Sequence, residues 1–455
     1  MTDAENLPGT RPEADPAPQH PTAGARPVPG GAPAGNTPAQ LAEAGNTPAQ
    51  LAEAGHTPGE GPGPLRRMVT GDGLIVILAI VLSLLVGAVL IALTDERVQA
   101  TAGYFFARPG DTLAAAWTAV SEAYGALFRS SIYNTQADSF ADAIYPLTET
   151  LTVATPLILA GLGVALAFRV GLFNIGAQGQ IILGALLAGW VGFTLDLPVG
   201  VHLLAAIVAG VVGGAIWGGI AGVLKATRGA HEVIVTIMLN YIALYLLLFV
   251  LSTPAFQRPG SNNPVSPPIM ESAAYPALFG TGFRLHYGFL LALGAVAFVW
   301  WLLNRSTTGF ELRAVGANPA AAKTAGINVG RAYVTAMVLA GALAGLAGTA
   351  QIAGTERSLS GDIAASFGFD AITVALLGRS SPIGTLFAGL LFGALRAGGV
   401  GMQSETGIPI DIVLVVQSFI VLFIAAPPLV RSIFRIGTKS TKKPAAQAAQ
   451  AGGAA

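Results

Sequence analysis

Three amides, Asn174, Gln178 and Gln180, fall close together among Gly171, Gly176 and Gly179, at the start of an apolar run over Ile175–Phe193. Amides in hydrocarbon are costly without partners, and small residues between them let backbones approach closely. Two readings fit this pattern. One is a helix break beside a solute path, as in transporters with discontinuous helices. The other is structural, with glycines for packing and amides as caps. Glu149, Thr150, Thr155, Thr236, Asn240, Gln351 and Gln417 place further polar groups inside apolar runs, and polar groups there are functional candidates by default. Hydroxyls and amides suit a neutral, hydroxyl-rich solute bound by hydrogen bonds. A strongly charged solute would need buried counter-charges, and the apolar runs hold few. Arg396 is the exception, and its long stem would let it snorkel to the outer interface.

Other chemistries find no support. There is no cysteine, which excludes disulfides, thiol catalysis, Cys-ligated zinc and iron–sulfur clusters. His20, His56, His202, His231 and His286 are scattered, with no pair at metal-ligand spacing, so neither a metal nor another cofactor is expected. Lys323-Thr324 fails as a phosphate loop because Ala322 stands where that motif requires glycine. A membrane-embedded enzyme would need His, Asp or Glu clustered within the spans. An ion-coupled transporter would need buried acids, for which Glu149 is the main candidate. The formal net charge is zero, which gives no reason to expect a nucleic-acid partner.

The elements that must position these groups are membrane helices. The chain is 53% hydrophobic and 11% charged, against about a quarter charged in soluble proteins. Apolar runs long enough to cross a bilayer cover Gly73–Leu93, Leu147–Phe168, Ile175–Phe193, Val201–Leu224, Val233–Leu251 and Tyr287–Leu303. Four more cover Ala332–Ala353, Ala364–Gly378, Ile383–Gly399 and Ile410–Pro427, the eighth and ninth being short. The expected fold is all-α and polytopic, with about ten transmembrane helices over residues 65–435. Residues 1–64 are rich in Pro, Ala and Gly, and GNTPAQLAEA occurs twice there in tandem. With so few large apolar side chains this tail is expected to be disordered, as is 436–455. Arg169, Lys225, Arg228, Arg305, Arg313, Lys323, Arg331 and Arg379 gather in alternate loops, which puts those loops and both termini in the cytoplasm. Two long outer segments remain. One holds an amphipathic stretch, Thr112–Phe128, expected to lie along the interface. The other, Thr253–His286, is proline-rich and expected to form a rigid non-helical cap.

The run from Pro156 to Gly171, followed by Phe173, Asn174, Ile175, Gly176, Gly179 and Gln180, closely resembles the signature of ABC transporter permeases of the branched-chain amino acid, ribose and nucleoside group. The segment from His231 to Asn240 (HEVIVTIMLN) is similar to one found in the nucleoside (guanosine-type) permeases that work with basic membrane lipoproteins, with His231 in place of their usual Asn. The resemblance extends over roughly 73–435. It implies a cell-membrane permease subunit of an ATP-driven importer for nucleosides, or alternatively for simple sugars of the ribose or galactose type. It also implies three partners: an ABC ATPase subunit that hydrolyses the ATP, a second permease subunit (a paralogue or a second copy), and an extracellular solute-binding lipoprotein.

The longest inner loop runs from Asn304 to Arg331. Asn318 suits an N-cap, Pro319 a first helical position and Gly326 a C-terminal stop, so a two-turn helix is expected over Pro319–Ala325. On its own it reads as a capped surface helix or a lever. The resemblance makes it the coupling helix that docks on the ATPase, with Gly316, Asn318, Pro319, Ala322 and Gly326 matching. Glu232-x-Ile234-x4-Leu239-Asn240 and Asp370-x-Ile372-x4-Leu377-Gly378 share spacing on opposite membrane faces, as an inverted repeat would. Glu232 and Asp370 read as caps at helix starts before they read as solute ligands.

Overall fold

The computed structural model describes residues 72–280 and 282–434. The tails expected over 1–64 and 436–455 lie outside the described residues. The described chain is helical throughout its core, and its only extended pairing is an isolated bridge between Ala277 and His286.

Three helices come first: α1 (Asp72–Thr94), α2 (Glu96–Ala102) and α3 (Pro109–Ser131). Four follow: α4 (Phe140–Arg169), α5 (Ala177–Thr194), α6 (Val201–Arg228) and α7 (Glu232–Leu251). After a largely irregular segment come α8 (Gly288–Arg305), α9 (Thr307–Ala317), α10 (Pro319–Thr324) and α11 (Val329–Ala350), which continues as a π-helix over Gln351–Glu356. The last group is α12 (Phe367–Leu377), α13 (Pro382–Thr406), α14 (Asp411–Ala425) and α15 (Pro427–Ile433). Eight of these helices are long and apolar enough to cross a membrane, while α12 and α14 are shorter apolar helices in the remaining expected spans.

Burial separates inner from outer helices. In α4 and α11, 83% and 78% of the apolar window is buried, against 22% in α1 and 28% in α7. The apolar side chains of the outer pair therefore remain for lipid, as Ile77, Leu85, Tyr245 and Phe249 do. Lipid tails are as apolar as leucine, so these helices associate through close packing rather than hydrophobic exclusion. The α6–α11 contact shows how. Gly210, Gly214 and Gly218 lie at successive turns of α6 and meet Gly341 and Gly345 of α11; a Cβ at Gly214 would collide with the Gly341 carbonyl, and one at Gly341 with the Gly214 carbonyl.

The packing pairs are themselves repeated. Helix α11 packs on α5 and α6 much as α4 packs on α12 and α13, and α4 and α11 meet at the centre. By these contacts α12 and α13 stand to α4 as α5 and α6 stand to α11. The shared spacing at Glu232 and Asp370 is not this equivalence, because Glu232 opens α7 and Asp370 lies within α12.

One end of the bundle collects the 304–331 loop, the end of α4 and the 379–381 turn. Arg169 Nε donates to the Ser380 carbonyl at 2.8 Å, and Gly316 packs on the Arg169 carbonyl. The opposite end carries the proline-rich segment, non-helical as expected except for one 3₁₀ turn at Glu271–Ala273. The amphipathic stretch forms the body of α3. Its Ala119, Ala123 and Ala126 are fully buried, Leu127 packs on Gly398 of α13, and Tyr124 Oη donates to the Leu84 carbonyl of α1.

Candidate functional site

After α11 the chain does not return as a simple helix. The π-helix Gln351–Glu356 widens the turn, a local form that recurs at functional sites. Arg357 then reverses the backbone in the left-handed region. Residues 357–366 descend as a loop, and α12 completes the crossing. Its eleven residues span only about 16 Å, roughly half of a hydrocarbon core. Irregular backbone at this depth persists only where protein or a cavity satisfies it.

Both ends of the loop are satisfied. At the far end, Ser266 N–H donates to Leu359 O at 3.0 Å and Ile269 N–H to Arg357 O at 2.8 Å. At the near end Gln178 uses both halves of its amide. Its Nε2 donates to Ala365 O at 2.6 Å and its Oε1 accepts from Gly368 N–H at 2.9 Å. Between them Ala365 has φ +38°, a conformation that costs a non-glycine residue energy and that clusters at functional sites.

A cavity of about 220 Å³ lies beside this turn, just under the range of about 300–1,000 Å³ usual for small-molecule sites. Thr152 and Val153 of α4 form one wall, Gln351, Thr355 and Glu356 of the π-helix another. Ser360, Asp362 and Ala365 of the loop, with Phe367, Arg284 and Arg396, complete it. Arg396 Nη1 donates to Asp370 Oδ2 at 2.9 Å and to Ser366 Oγ at 3.0 Å. Ser366 Oγ in turn donates to Asp370 Oδ2 at 2.8 Å, and the guanidinium lies 4.4 Å from the centre of the Phe367 ring. Arg396 is therefore held inward by an ion pair and a cation–π contact rather than snorkelling, and Asp370, in the first turn of α12 as expected, is the acid of that pair. Arg284 is paired to Glu149 at 3.0 Å.

A separate amide cluster builds the start of α5. Asn174 Oδ1 accepts from Gly176 N–H at 2.9 Å, and the Asn174 and Gln180 amides exchange two bonds at 3.3 Å. Asn240 of α7 accepts from Gly179 N–H and donates to Ile175 O, each at 2.9 Å. The helix start leaves N–H groups without intrahelical partners, and Asn240 supplies one from across the bundle. Thr236 Oγ1 bonds back to Glu232 O at 2.8 Å, and its side chain packs on Gly176.

In the 304–331 loop, Asn318 Oδ1 accepts from Ala320 N–H at 3.0 Å and Ala321 N–H at 3.1 Å, capping α10. Pro319 holds its first position, Ala322 is buried and Gly326 ends it with φ +86°. The preceding helix α9 continues almost directly from α8, with Ser306 Oγ accepting from Gly309 N–H at 2.9 Å.

The family of branched-chain amino acid transport system permease components matches residues 147–425. The chain belongs to this family.

The permease is 39% identical over 291 residues to a guanosine ABC transporter permease of Bacillus subtilis (strain 168), covering 64% of this chain and 84% of that protein. It is 37% identical over 287 residues to a nucleoside ABC transporter permease of Lactococcus lactis subsp. cremoris, covering 61% and 78%. It is 34% identical over 325 residues to a glucose ABC transporter permease of Haloferax volcanii, covering 70% and 83%. No solved structure matches it.

The family match contains the cavity, the amide cluster and the 304–331 loop of the permease, and leaves out α1 to α3. Of the polar groups singled out in the sequence, Gln351 lines the cavity. Glu149 orients Arg284, and Gln178 fixes the turn below the cavity. Asn174, Gln180, Thr236 and Asn240 come together at the α5 start, outside the cavity lining. Thr155 is fully buried, bonding to Leu151 O at 2.8 Å. Thr152, Thr355, Glu356, Ser360, Asp362 and Phe367 line the cavity and were not singled out. For Thr355, Glu356, Ser360 and Asp362 the signal is the polar run Gly354-Thr-Glu-Arg-Ser-Leu-Ser-Gly-Asp362 directly after an apolar span. Beside the π-helix, His286 stacks on Tyr275 with ring centres 5.3 Å apart, and its Nδ1 accepts from Gly288 N–H at 3.1 Å. Burial, then the positive charges of Arg357 and Arg284, pull its pKa down to about 4.

Proposed function

We propose that this chain is the membrane-embedded permease subunit of an ATP-driven importer and that it carries nucleosides. The observation that carries the reading is the cavity beside the broken crossing. Hydroxyls at Thr152, Thr355 and Ser360, the Gln351 amide, the acids Glu356 and Asp362, and two guanidinium groups already paired to Glu149 and Asp370 line it. This lining offers donors and acceptors for a hydroxyl-rich solute. The names of the two nucleoside permeases among its relatives favour nucleosides.

On this reading the 304–331 end faces the cytoplasm, as do both termini, following the gathering of Lys and Arg in that loop and its neighbours. An ATPase subunit docks on α9 and α10, with Gly316, Asn318, Pro319, Ala322 and Gly326 forming the stiff capped element. Gly316 rests on the Arg169 carbonyl at the end of α4, so a push on α10 reaches the helix that walls the cavity. ATP is hydrolysed on that partner. A second permease subunit, a paralogue or another copy, completes the membrane unit, and a solute-binding lipoprotein docks on the opposite end near 253–286. The cavity opens alternately to the two sides, with Gln351 touching the solute directly. Glu149, Thr155, Asn174, Gln178, Gln180, Thr236 and Asn240 shape the path by holding the elements around it.

A simple-sugar permease is the second reading, favoured by the glucose permease among the relatives. The deciding experiment is uptake of labelled guanosine by cells with and without the gene, with excess unlabelled ribose as competitor. The nucleoside reading expects uptake to fall on deletion and ribose not to compete. Unchanged guanosine uptake in a strain with no redundant system would leave the sugar reading in its place.

A further inference from the structure

At the 304–331 end, a second cavity of about 280 Å³ opens between α4, α8, α9 and α13. Arg169, Trp300, Asn304, Arg313, Ser381 and Ile383 line it, and its lining holds two guanidinium groups and no carboxylate. The Arg313 side chain makes no ion pair or hydrogen bond with the described residues. Arg169 is fixed in place by its Nε bond to Ser380 O at 2.8 Å, which leaves its terminal nitrogens free to meet a ligand. The first turn of the 25-residue α13 also faces the cavity, through Ser381, Pro382 and Ile383. Serine caps that turn by accepting from Gly384 N–H at 3.1 Å. Pro382 has no N–H and Ser381 takes those of Gly384 and Thr385, so this turn contributes chiefly the positive end of the helix dipole.

These features converge on an anion, and the surroundings decide which kind. The cavity lies at the end of the spans, flanked by outward apolar side chains: Trp300 is 41% exposed, Ile383 53% and, one turn further along α13, Phe387 65%. A tryptophan at this level is the usual marker of the membrane–water interface. A soluble anion would gain nothing from this apolar flank. A phospholipid would use both parts, its phosphate between the arginines and its chains along α8 and α13.

We propose that this cavity binds the headgroup of an anionic phospholipid, with Arg313 and Arg169 as the phosphate-binding groups. Basic pockets between membrane helices take such headgroups through the same chemistry. The proposal requires only that the chain crosses a membrane, so it does not depend on which solute the permease carries.

The test uses the full-length chain in detergent and native mass spectrometry with equal amounts of phosphatidylglycerol and phosphatidylcholine of matched acyl chains. Phosphatidylglycerol is expected to be retained preferentially. Arg313→Gln should lower its retention about five- to tenfold, while Arg313→Lys keeps most of it. Excess inorganic phosphate should leave the bound lipid in place. Equal retention of the two lipids overturns the proposal, as does unchanged phosphatidylglycerol retention in Arg313→Gln. Displacement by inorganic phosphate also overturns it and makes the cavity a site for a soluble anion. The lipid preference and the phosphate competition are read on the wild-type chain, so they decide even where a variant fails to fold.

Discussion

Gln178 and Gly368 stand 190 residues apart in the chain, yet the Gln178 Oε1 accepts the Gly368 N–H at 2.9 Å while its Nε2 donates to Ala365 O at 2.6 Å. One side-chain amide thus closes a strained turn at the floor of the cavity. It also ties the first broken segment of the bundle to the second. Replacing it with leucine keeps the volume and removes both bonds. We expect Gln178→Leu to lose about 2–4 kcal/mol of stability, the cost of leaving two buried backbone groups unpaired. Uptake should fall with it. A thermal melt in detergent and an uptake assay check this; wild-type behaviour in both would show that the turn holds without the clamp.

Arg396 and Asp370 are expected to act as a unit. Arg396→Met leaves a carboxylate inside the bundle with only Ser366 to meet it, and should destabilise the protein by about 2 kcal/mol. Combining it with Asp370→Leu should return part of that loss. A double-mutant cycle on melting temperature is expected to give a coupling of about 1–3 kcal/mol. Strict additivity would mean that the pair contributes nothing jointly.

The glycine contact between α6 and α11 leaves no room for a side chain. Gly341→Leu must push the Gly214 carbonyl away and is expected to cost several kcal/mol, at or beyond the usual range of about 1–3 for overpacking, because the obstacle is backbone. Gly110→Ala, at a position with open space around it, should be almost silent. Yield and melting temperature of the two variants, measured side by side, make the comparison.

Asn318→Ala removes the cap of α10 and is expected to cost about 1 kcal/mol locally. If the helix transmits ATPase closure, uptake should drop far more than stability does. Asn318→Asp, which keeps the capping oxygen, should restore both. Uptake that merely tracks folded protein level in all three forms would argue that α10 is an ordinary surface helix.

Acid should weaken the 253–286 segment through His286. Its pKa lies near 4 in the folded chain, below the ordinary value of about 6.5. Between those two pH values the unfolded chain holds a proton that the folded chain does not, so stability falls as pH drops through that window. The full loss is about 3 kcal/mol. Melting temperatures at pH 7 and pH 4.5 should diverge less in His286→Asn than in wild type; equal slopes would assign the acid sensitivity elsewhere.

The sequence by itself determined the helices. Hydropathy is local and additive, so Gly73–Leu93 or Val201–Leu224 declares a span wherever it packs, and α1 and α6 follow these runs closely. Capping is equally local. Asn318, Pro319 and Gly326 specify α10 within nine residues, and the structure places it at Pro319–Thr324. The cavity was legible only in part. Gln351 stood out as an amide in an apolar run, whereas Ser360 and Asp362 fall between two apolar runs, and nothing local distinguishes a loop outside the membrane from one that descends into it. That distinction required the tertiary structure. Only there do Ser266 and Ile269 hold one end of 357–366 and Gln178 the other. The same holds for Arg396, whose length permits snorkelling but whose partners, Asp370 and Phe367, hold it inward. A polar group in a membrane must find a partner, and its own sequence states the need; which distant residue answers it is decided by packing.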